Sequence, residues 1–145
     1  MKQVMKLEIE SIPSNEAFAR VVVAAFLTRL NPTMEEVADI KTAVSEAVTN
    51  AIIHGYQNEI HKIVIEAFVE EDLFSVSVED FGVGMEDVKK AMEPMYTTRS
   101  DMERSGMGFV FMEAFMDTVQ VTSKPEEGTK VTMTKRVARR YERDI

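Results

Sequence analysis

A chain of 145 residues has the length of one ordinary domain, and folding it should bury roughly two-thirds of its unfolded surface. The composition, 45% hydrophobic and 29% charged, is that of a globular protein, which excludes disorder or a coiled coil as a description of the whole chain. There is no cysteine, which excludes a disulfide framework, a thiolate zinc cluster and a cysteine nucleophile.

The formal net charge of −8 is unevenly distributed. Residues 1–134 carry 12 basic and 23 acidic side chains, whereas residues 135–145 carry 5 and 2. This balance disfavours direct nucleic-acid binding, and we interpret residues 135–145 as a short basic tail. The longest apolar run, Val21 to Leu27, is too short to span a membrane, and the first residues do not resemble a secretory signal. We therefore expect a cytoplasmic protein with no membrane partner.

The chain opens with an alternating pattern. Met5, Leu7 and Ile9 are apolar and their neighbours are charged, which predicts a strand that is buried on one face. Pro13 ends this strand, and Ser14 and Asn15 can cap the helix that follows.

The first predicted helix has apolar residues on two sides. The predicted core stripe recurs every four residues and comprises Phe18, Val22, Phe26 and Leu30. A second strip on the opposite side comprises Arg20, Val23, Ala24 and Leu27. We expect this outer strip either to be buried within the monomer or to dock a protein partner or a second copy, with Arg20 as its polar anchor.

A second helix begins where Thr33 and Glu36 form a capping box, in which side chain and backbone satisfy each other's hydrogen bonds. Gly55 can supply the left-handed residue that ends this helix. Its apolar side comprises Val37, Ile40, Val44, Ala47, Val48 and Ala51.

The remaining elements are predicted from alternation and turn residues. Ile63 to Glu70 and Leu73 to Asp80 form a hairpin, and residues 81–105 are loop-like with one short helical candidate, Met85 to Met92. A helix over residues 108–116 and two strands, over 118–123 and 129–137, follow. This order predicts a single α+β domain over residues 1–145, built on one mixed sheet with its helices packed on one face.

Glu46 and Asn50 stand four residues apart on the second helix, so both side chains leave the same face. A carboxylate and an amide oxygen can therefore converge above the helix. Taken alone, such a pair is more often part of a solvated face than of a site.

Two spaced glycine pairs lie at the ends of predicted elements. Asp80, Gly82 and Gly84 follow a Val-rich strand, where glycines let the backbone approach a flat ligand while the carboxylate accepts from a ring amine. Gly106 and Gly108 open a helix, whose free backbone N–H groups attract anions such as phosphate. Neither pair completes a dinucleotide motif, and no P-loop motif is present.

Together with Gly128-Thr129, these elements resemble the N, G1, G2 and G3 boxes of the GHKL superfamily of ATPases and kinases. The segments EAVTNAIIHGY (residues 46–56) and VEDFGVGM (residues 78–85) most resemble the anti-sigma-factor serine kinases of bacteria. The resemblance covers essentially the whole chain. It implies the GHKL ATP-binding fold, a two-layer α/β sandwich with a mixed, mostly antiparallel sheet.

The resemblance also implies roles for individual residues. It implies that Glu46 is the general base and that Asn50 holds the Mg²⁺ ion that bridges the phosphates of ATP. Asp80 would read the adenine amine in a pocket shaped by Gly82 and Gly84 and supported by Thr129. The phosphates would be met by Gly106 and Gly108, with Arg104 and Ser105 beside them. Residues 85–105 would form a lid, in which Arg99 and Arg104 could each stabilise phosphate charge.

The implied activity is that of an anti-sigma factor and ATP-dependent protein serine kinase. Its implied partners are a sigma factor that it sequesters, an anti-anti-sigma protein that it phosphorylates on serine, and a second copy in a homodimer. The length of the chain leaves no room for the added domains of a sensor histidine kinase, chaperone or gyrase. Two alternatives stay open, namely a nucleotide-gated binding module and a simple ATPase that passes phosphate to water.

Overall fold

A computed structural model describes residues 1–93 and 108–137. The strands in these ranges are β1 (Lys2–Glu10), β2 (Lys62–Glu70), β3 (Leu73–Asp80), β4 (Thr118–Lys124) and β5 (Gly128–Arg136). The helices are α1 (Ser14–Leu27), α2 (Met34–Asn50), α3 (Val88–Ala91) and α4 (Gly108–Phe115). The strands form one sheet in the order β1-β2-β3-β5-β4, and every pairing among them is antiparallel.

One face of the sheet forms the floor of the hydrophobic core. The register places Ile65 opposite Val78, and Val78 opposite Val131, and all three side chains are buried. The same core cluster contains Leu27 of α1 and Val44 of α2, so the helices cover this face. The α+β fold predicted from the sequence is confirmed, with a sheet that is antiparallel throughout the described strands.

The start of α2 is built as the sequence predicts. The Thr33 hydroxyl accepts a hydrogen bond from the Glu36 amide at 3.1 Å, and the Glu36 carboxylate accepts one from the Thr33 amide at 2.8 Å. The capping box thus satisfies two amides that would otherwise lack partners at the helix end.

The start of α1 differs from the prediction. Pro13 occupies the N-cap position and offers no side-chain hydrogen bond. Asn15 lies within the helix and donates instead to the Glu10 carbonyl at 2.8 Å, which ties the first turn to the end of β1. The prediction that Ser14 and Asn15 cap the helix was therefore wrong.

The buried side of α1 is also the opposite of the predicted one. Val23 and Leu27 are fully buried, whereas Phe18 is 51% exposed. Of the predicted core stripe only Phe26 is buried, with Val22 half-buried and Leu30 packed against the edge of the core. Because Val23 and Leu27 of the second strip face the core, the prediction that these apolar residues dock a partner was wrong, and their burial within the monomer is confirmed.

The end of α2 does not use a left-handed glycine. The helix continues through Asn50 into a π-helical turn, Ala51–Gly55, and the left-handed residues come later, at Gln57 (φ 53°) and Asn58 (φ 68°). Gly55 is required for a different reason, which is its close approach to β3.

The segment after β3 contains less helix than predicted. The helix expected from Met85 to Met92 is confined to α3, where the Asp87 side chain accepts from the Lys90 amide at 3.0 Å. The later part of the expected lid and residues 138–145 of the basic tail lie outside the described residues. No helix in the described ranges has the length and apolarity needed to cross a bilayer.

The orientation of α1 predicts a contrast between two substitutions. Leu27→Ala should lower the free energy of unfolding by about 2–5 kcal/mol, because it leaves a cavity in the core. Phe18→Ala should cost well under half as much, because half of that side chain is already in solvent. Urea denaturation of both variants measures this contrast, and a larger loss for Phe18→Ala would contradict the described orientation.

Candidate functional site

A cavity of about 500 Å³ lies between α2 with its π-helical turn, the facing ends of β3 and β5, and the loop that follows β3. Its lining includes four of the residues that the sequence singled out: Asn50, Asp80, Gly84 and Thr129. His54, Gly55 and Gln57 line it as well.

Glu46, Asn50 and Gly108 meet where α2 packs against the first turn of α4. A Cβ atom on Gly108 would lie 3.2 Å from Asn50 Nδ2 and 3.3 Å from both Asn50 Oδ1 and Glu46 Oε2. The structure therefore brings a carboxylate, an amide and a glycine-opened helix end to one place. The four-residue spacing on α2 accounts for the first two, and helix packing adds the third.

The Asn50 side chain is buried in the wall of the cavity. It is 8% exposed, and neither its oxygen nor its nitrogen is bonded within the described part of the chain. Leaving such a group unpaired costs about 1–3 kcal/mol. The arrangement suits a ligand that supplies the missing partner, such as a hydrated cation.

A cation at Asn50 would need further oxygens from its ligand. In residues 1–93 and 108–137 no group of three or more acidic or histidine side chains could hold a metal ion. Mg²⁺ commonly binds through one or two protein oxygens, its own waters and the phosphates of a substrate. The donors present therefore fit Mg²⁺ brought in with a nucleotide.

Asp80 is the last residue of β3 and is 5% exposed. Its carboxylate accepts a hydrogen bond from the Gly82 amide at 3.0 Å, and the Thr129 amide also stabilises the ionised form. Burial outweighs both hydrogen bonds and raises the pKa of Asp80 to about 6. The site thus holds a poorly solvated acceptor that favours a hydrogen-bond donor from a ligand.

Gly82 and Gly84 let two other backbone segments approach the loop after β3. A Cβ on Gly82 would lie 1.9 Å from the Gly55 carbonyl oxygen, which accepts from the Val83 amide at 2.9 Å. Gly84 has a φ of 70°, and a Cβ there would lie 1.9 Å from the Lys124 carbonyl oxygen. These glycines shape the cavity by allowing backbone to contact backbone.

Thr129 lies opposite Asp80 in the β3–β5 register and is buried. Its hydroxyl is hydrogen bonded to Ser123 Oγ at 2.8 Å, and Ser123 in turn accepts from the Met85 amide at 2.8 Å. Sequence reasoning missed Ser123 because its role depends on the pairing of β4 with β5. Gly128, with a φ of 103°, permits the turn that brings this pair to Asp80.

The remaining predicted residues are not part of the described cavity. Arg99, Arg104, Ser105 and Gly106 lie outside the described residues. Arg20 lies on α1, away from the cavity, and pairs with Glu16 one turn earlier at 3.6 Å.

The sequence predicted that Gly55 ends the second helix, but in the structure this glycine allows close contact with Asp80. Its position just after the helix that carries Glu46 and Asn50 singled out Gly55. Its contact with Asp80 could not be predicted, because the two residues are far apart in the sequence. A Cβ on Gly55 would lie 2.6 Å from the Asp80 carboxylate.

Comparisons with known proteins agree with this fold. Residues 9–135 match the family described as the histidine kinase-like ATPase domain, a class defined by nucleotide binding. The chain resembles the crystal structure of the RsbU and RsbW domains of Rv1364c from Mycobacterium tuberculosis, with a TM-score of 0.68 at 21% identity. That match covers 94% of this chain and 32% of the other, and it supports the fold.

Two relatives are much more similar in sequence. The chain is 54% identical over 140 residues to the Anti-sigma F factor of Oceanobacillus iheyensis, covering 96% of each chain. It is 57% identical over 136 residues to the Anti-sigma F factor of Clostridium novyi, covering 92% of this chain and 94% of that protein. The chain belongs to the anti-sigma F factor family of histidine kinase-like ATPase domains, which confirms the resemblance seen in the sequence.

Burial of Asp80 predicts a pH-dependent stability. The pKa of Asp80 is raised to about 6 in the folded protein. The protonated carboxyl therefore adds to the free energy of unfolding at low pH, and this stabilisation is lost as pH rises through about 6. Measured relative to Asp80→Asn, the free energy of unfolding of the ligand-free protein should be about 1.4 kcal/mol larger at pH 5 than at pH 7.5. Urea denaturation of both proteins across this range measures the difference, and a constant difference would contradict the raised pKa.

Proposed function

We propose that this protein is an anti-sigma factor that sequesters an RNA polymerase sigma factor and phosphorylates an anti-anti-sigma protein on serine, with ATP as phosphate donor. The observation that carries the proposal is one cavity lined by Asn50 and Asp80, with Glu46 and Gly108 next to Asn50. Membership in the anti-sigma F factor family supports it.

In this proposal Asp80 determines which base is bound. Its ionised carboxylate accepts a hydrogen bond from the amine of adenine, and Thr129 supports that end of the cavity from β5. The phosphates extend toward Gly106 and Gly108, where the backbone amides at the start of α4 and the helix dipole favour negative charge. Arg104 and Ser105 lie in the adjoining segment, and Arg99 and Arg104 are the proposed lid cations.

Asn50 is the proposed protein ligand of Mg²⁺. Its unpaired amide oxygen would hold the ion, and the ion would supply charge neutralisation at the phosphates. Because Asn50 is buried, few bulk water molecules can compete with the ion for its amide oxygen.

Glu46 is the proposed general base. It takes the proton from the serine hydroxyl of the protein substrate while the serine oxygen bonds to the γ-phosphorus of ATP and the bond to ADP breaks. Phosphoryl transfer depends mostly on positioning and charge stabilisation, so a carboxylate held beside the phosphates meets the requirement for a base.

The same geometry serves a simple ATPase, because a carboxylate that activates a hydroxyl can also activate water. A nucleotide-gated binding module would need Asp80 and Asn50 but no base. The presence of Glu46 beside Asn50 therefore favours catalysis over binding alone.

The role of Glu46 predicts a separation of binding from turnover. Glu46→Gln should retain binding of Mg·ATP within a few-fold and lose at least about 100-fold in phosphate transfer, a typical contribution of a general base. The measurement is transfer from γ-labelled ATP to a protein in host lysate, with equilibrium binding measured in parallel. Glu35→Gln, which changes an exposed carboxylate at the start of α2, is the matched control and should behave as the wild type.

The outcomes discriminate between the three functions. A small labelled protein that is absent with Glu46→Gln supports a protein serine kinase. Free labelled phosphate without a labelled protein supports an ATPase. Tight nucleotide binding with neither product supports a nucleotide-gated binding module and removes the role of Glu46 as a base.

Arg20 is the proposed polar contact to a protein partner, which is the sigma factor, the anti-anti-sigma protein or the second copy of a homodimer. Arg20 is partly exposed, and its ion pair with Glu16 holds its side chain along α1. The surface next to it is not the strip predicted from the sequence, since Val23 and Leu27 are buried.

This role predicts that Arg20→Glu abolishes partner capture while nucleotide affinity stays unchanged, because Arg20 lies away from the cavity. Co-purification with the sigma factor and with the anti-anti-sigma protein, together with sedimentation of the protein alone, measures the three interactions. Lys6→Glu makes the same charge change at an exposed position on β1 and serves as the control. Unchanged binding by Arg20→Glu in all three measurements would remove Arg20 from the interface.

A further inference from the structure

The hydroxyl of Tyr56 lies between two backbone groups from different parts of the chain. It accepts a hydrogen bond from the Phe81 amide at 2.8 Å and donates one to the Lys62 carbonyl. The Tyr56 residue is 5% exposed, and its ring packs against that of His61. One buried side chain therefore joins the end of the π-helical turn, the start of β2 and the residue that follows β3.

The amide that Tyr56 binds is the first one beyond the β3 ladder. β3 ends at Asp80, whose register partner is Thr129, so the Phe81 amide needs another acceptor. The next two amides are also bound, since Gly82 donates to the Asp80 carboxylate at 3.0 Å and Val83 donates to the Gly55 carbonyl at 2.9 Å.

Three successive amides after Asp80 are thus fixed in turn by Tyr56, by Asp80 itself and by Gly55. Of these three acceptors only Tyr56 is a neutral side-chain hydroxyl outside the cavity lining. Its removal would free the Phe81 amide without altering any group that faces the cavity.

We propose that Tyr56 is a positioning residue for base recognition: its hydroxyl holds the backbone at Phe81 so that the Asp80 carboxylate meets the amine of adenine. The proposal rests on the proposed function, in which Asp80 reads that amine. Tyr56 acts through Asp80 and does not contact the nucleotide.

The test compares two nucleotides that differ only in the group that Asp80 reads. ATP carries the 6-amino group, and purine riboside triphosphate lacks it. Tyr56→Phe should reduce the preference for ATP over this analogue by about 3- to 10-fold, the effect of weakening one hydrogen bond. The affinity for the analogue itself should change much less, because its binding does not use the Asp80 carboxylate.

Ser11→Ala is the matched control. The buried Ser11 hydroxyl also joins two backbone groups, donating to the Glu59 carbonyl at 2.9 Å and accepting from the His61 amide at 2.9 Å. It anchors the same connection before β2 but does not contact Phe81. Ser11→Ala should lower thermal stability as Tyr56→Phe does, and it should keep the wild-type preference for ATP.

The outcomes distinguish a failure of the Tyr56 role from a failure of adenine recognition by Asp80. If the wild type binds both nucleotides equally, the adenine-reading role of Asp80 is overturned, and this inference with it. If the wild type prefers ATP and Tyr56→Phe prefers it as strongly, Tyr56 is structural only and the proposal fails. Equal losses of ATP preference in Tyr56→Phe and Ser11→Ala would also overturn it.

A second variant keeps the test available if Tyr56→Phe does not fold. Site-specific 3-fluorotyrosine at position 56 keeps the hydroxyl but makes it a weaker acceptor for the Phe81 amide. The preference for ATP should then fall between that of the wild type and that of Asp80→Asn. An unchanged preference would contradict the proposal.

Discussion

The close contact between Gly55 and the end of β3 sets the geometry of the whole site. The Gly55 carbonyl accepts from the Val83 amide, and neither Gly55 nor Gly82 leaves room for a Cβ atom at this contact. Asn50 lies five residues before Gly55 on the same continuous helical segment, and Asp80 lies two residues before Gly82. A side chain at either glycine would separate α2 from β3 and move the two ends of the cavity apart. The distance between the proposed phosphate-binding end at Asn50 and the proposed base-binding end at Asp80 is therefore fixed by backbone packing.

Two buried polar groups of the site, Asp80 and Asn50, lower the stability of the ligand-free protein, and a ligand could satisfy both. Asp80 is buried with a raised pKa, and the Asn50 amide has no hydrogen-bond partner within the described residues. Each costs folding free energy in the ligand-free protein. In the proposed complex, a nucleotide would supply a hydrogen-bond donor to Asp80 and its cation would bind the Asn50 oxygen, so ligand binding should stabilise the folded state.

The sequence predicted elements well where the signal was local. The capping box at Thr33 and the hairpin around Glu71 and Asp72 depend on residues a few positions apart. The buried side of α1 was not predictable in this way, because apolar residues recur on both sides of the helix and only its packing into the core, mainly against α2, selects Val23 and Leu27. For the candidate site, Glu46, Asn50, Asp80 and the glycines followed from motifs, whereas Tyr56 and Ser123 act through pairings between distant segments.

In the proposed reaction, either water or a protein serine could receive the phosphate. Glu46 lies beside Asn50 and the start of α4, and a carboxylate there activates water and a serine hydroxyl by the same chemistry. The two acceptors differ in how they reach the site, since water diffuses in and a serine must be carried by a docked protein. Selectivity for serine therefore cannot come from Glu46. In the proposed kinase it has to come from the surfaces that bind the protein substrate and from exclusion of water from the cavity, because excluding water raises the effective concentration of the serine relative to its competitor.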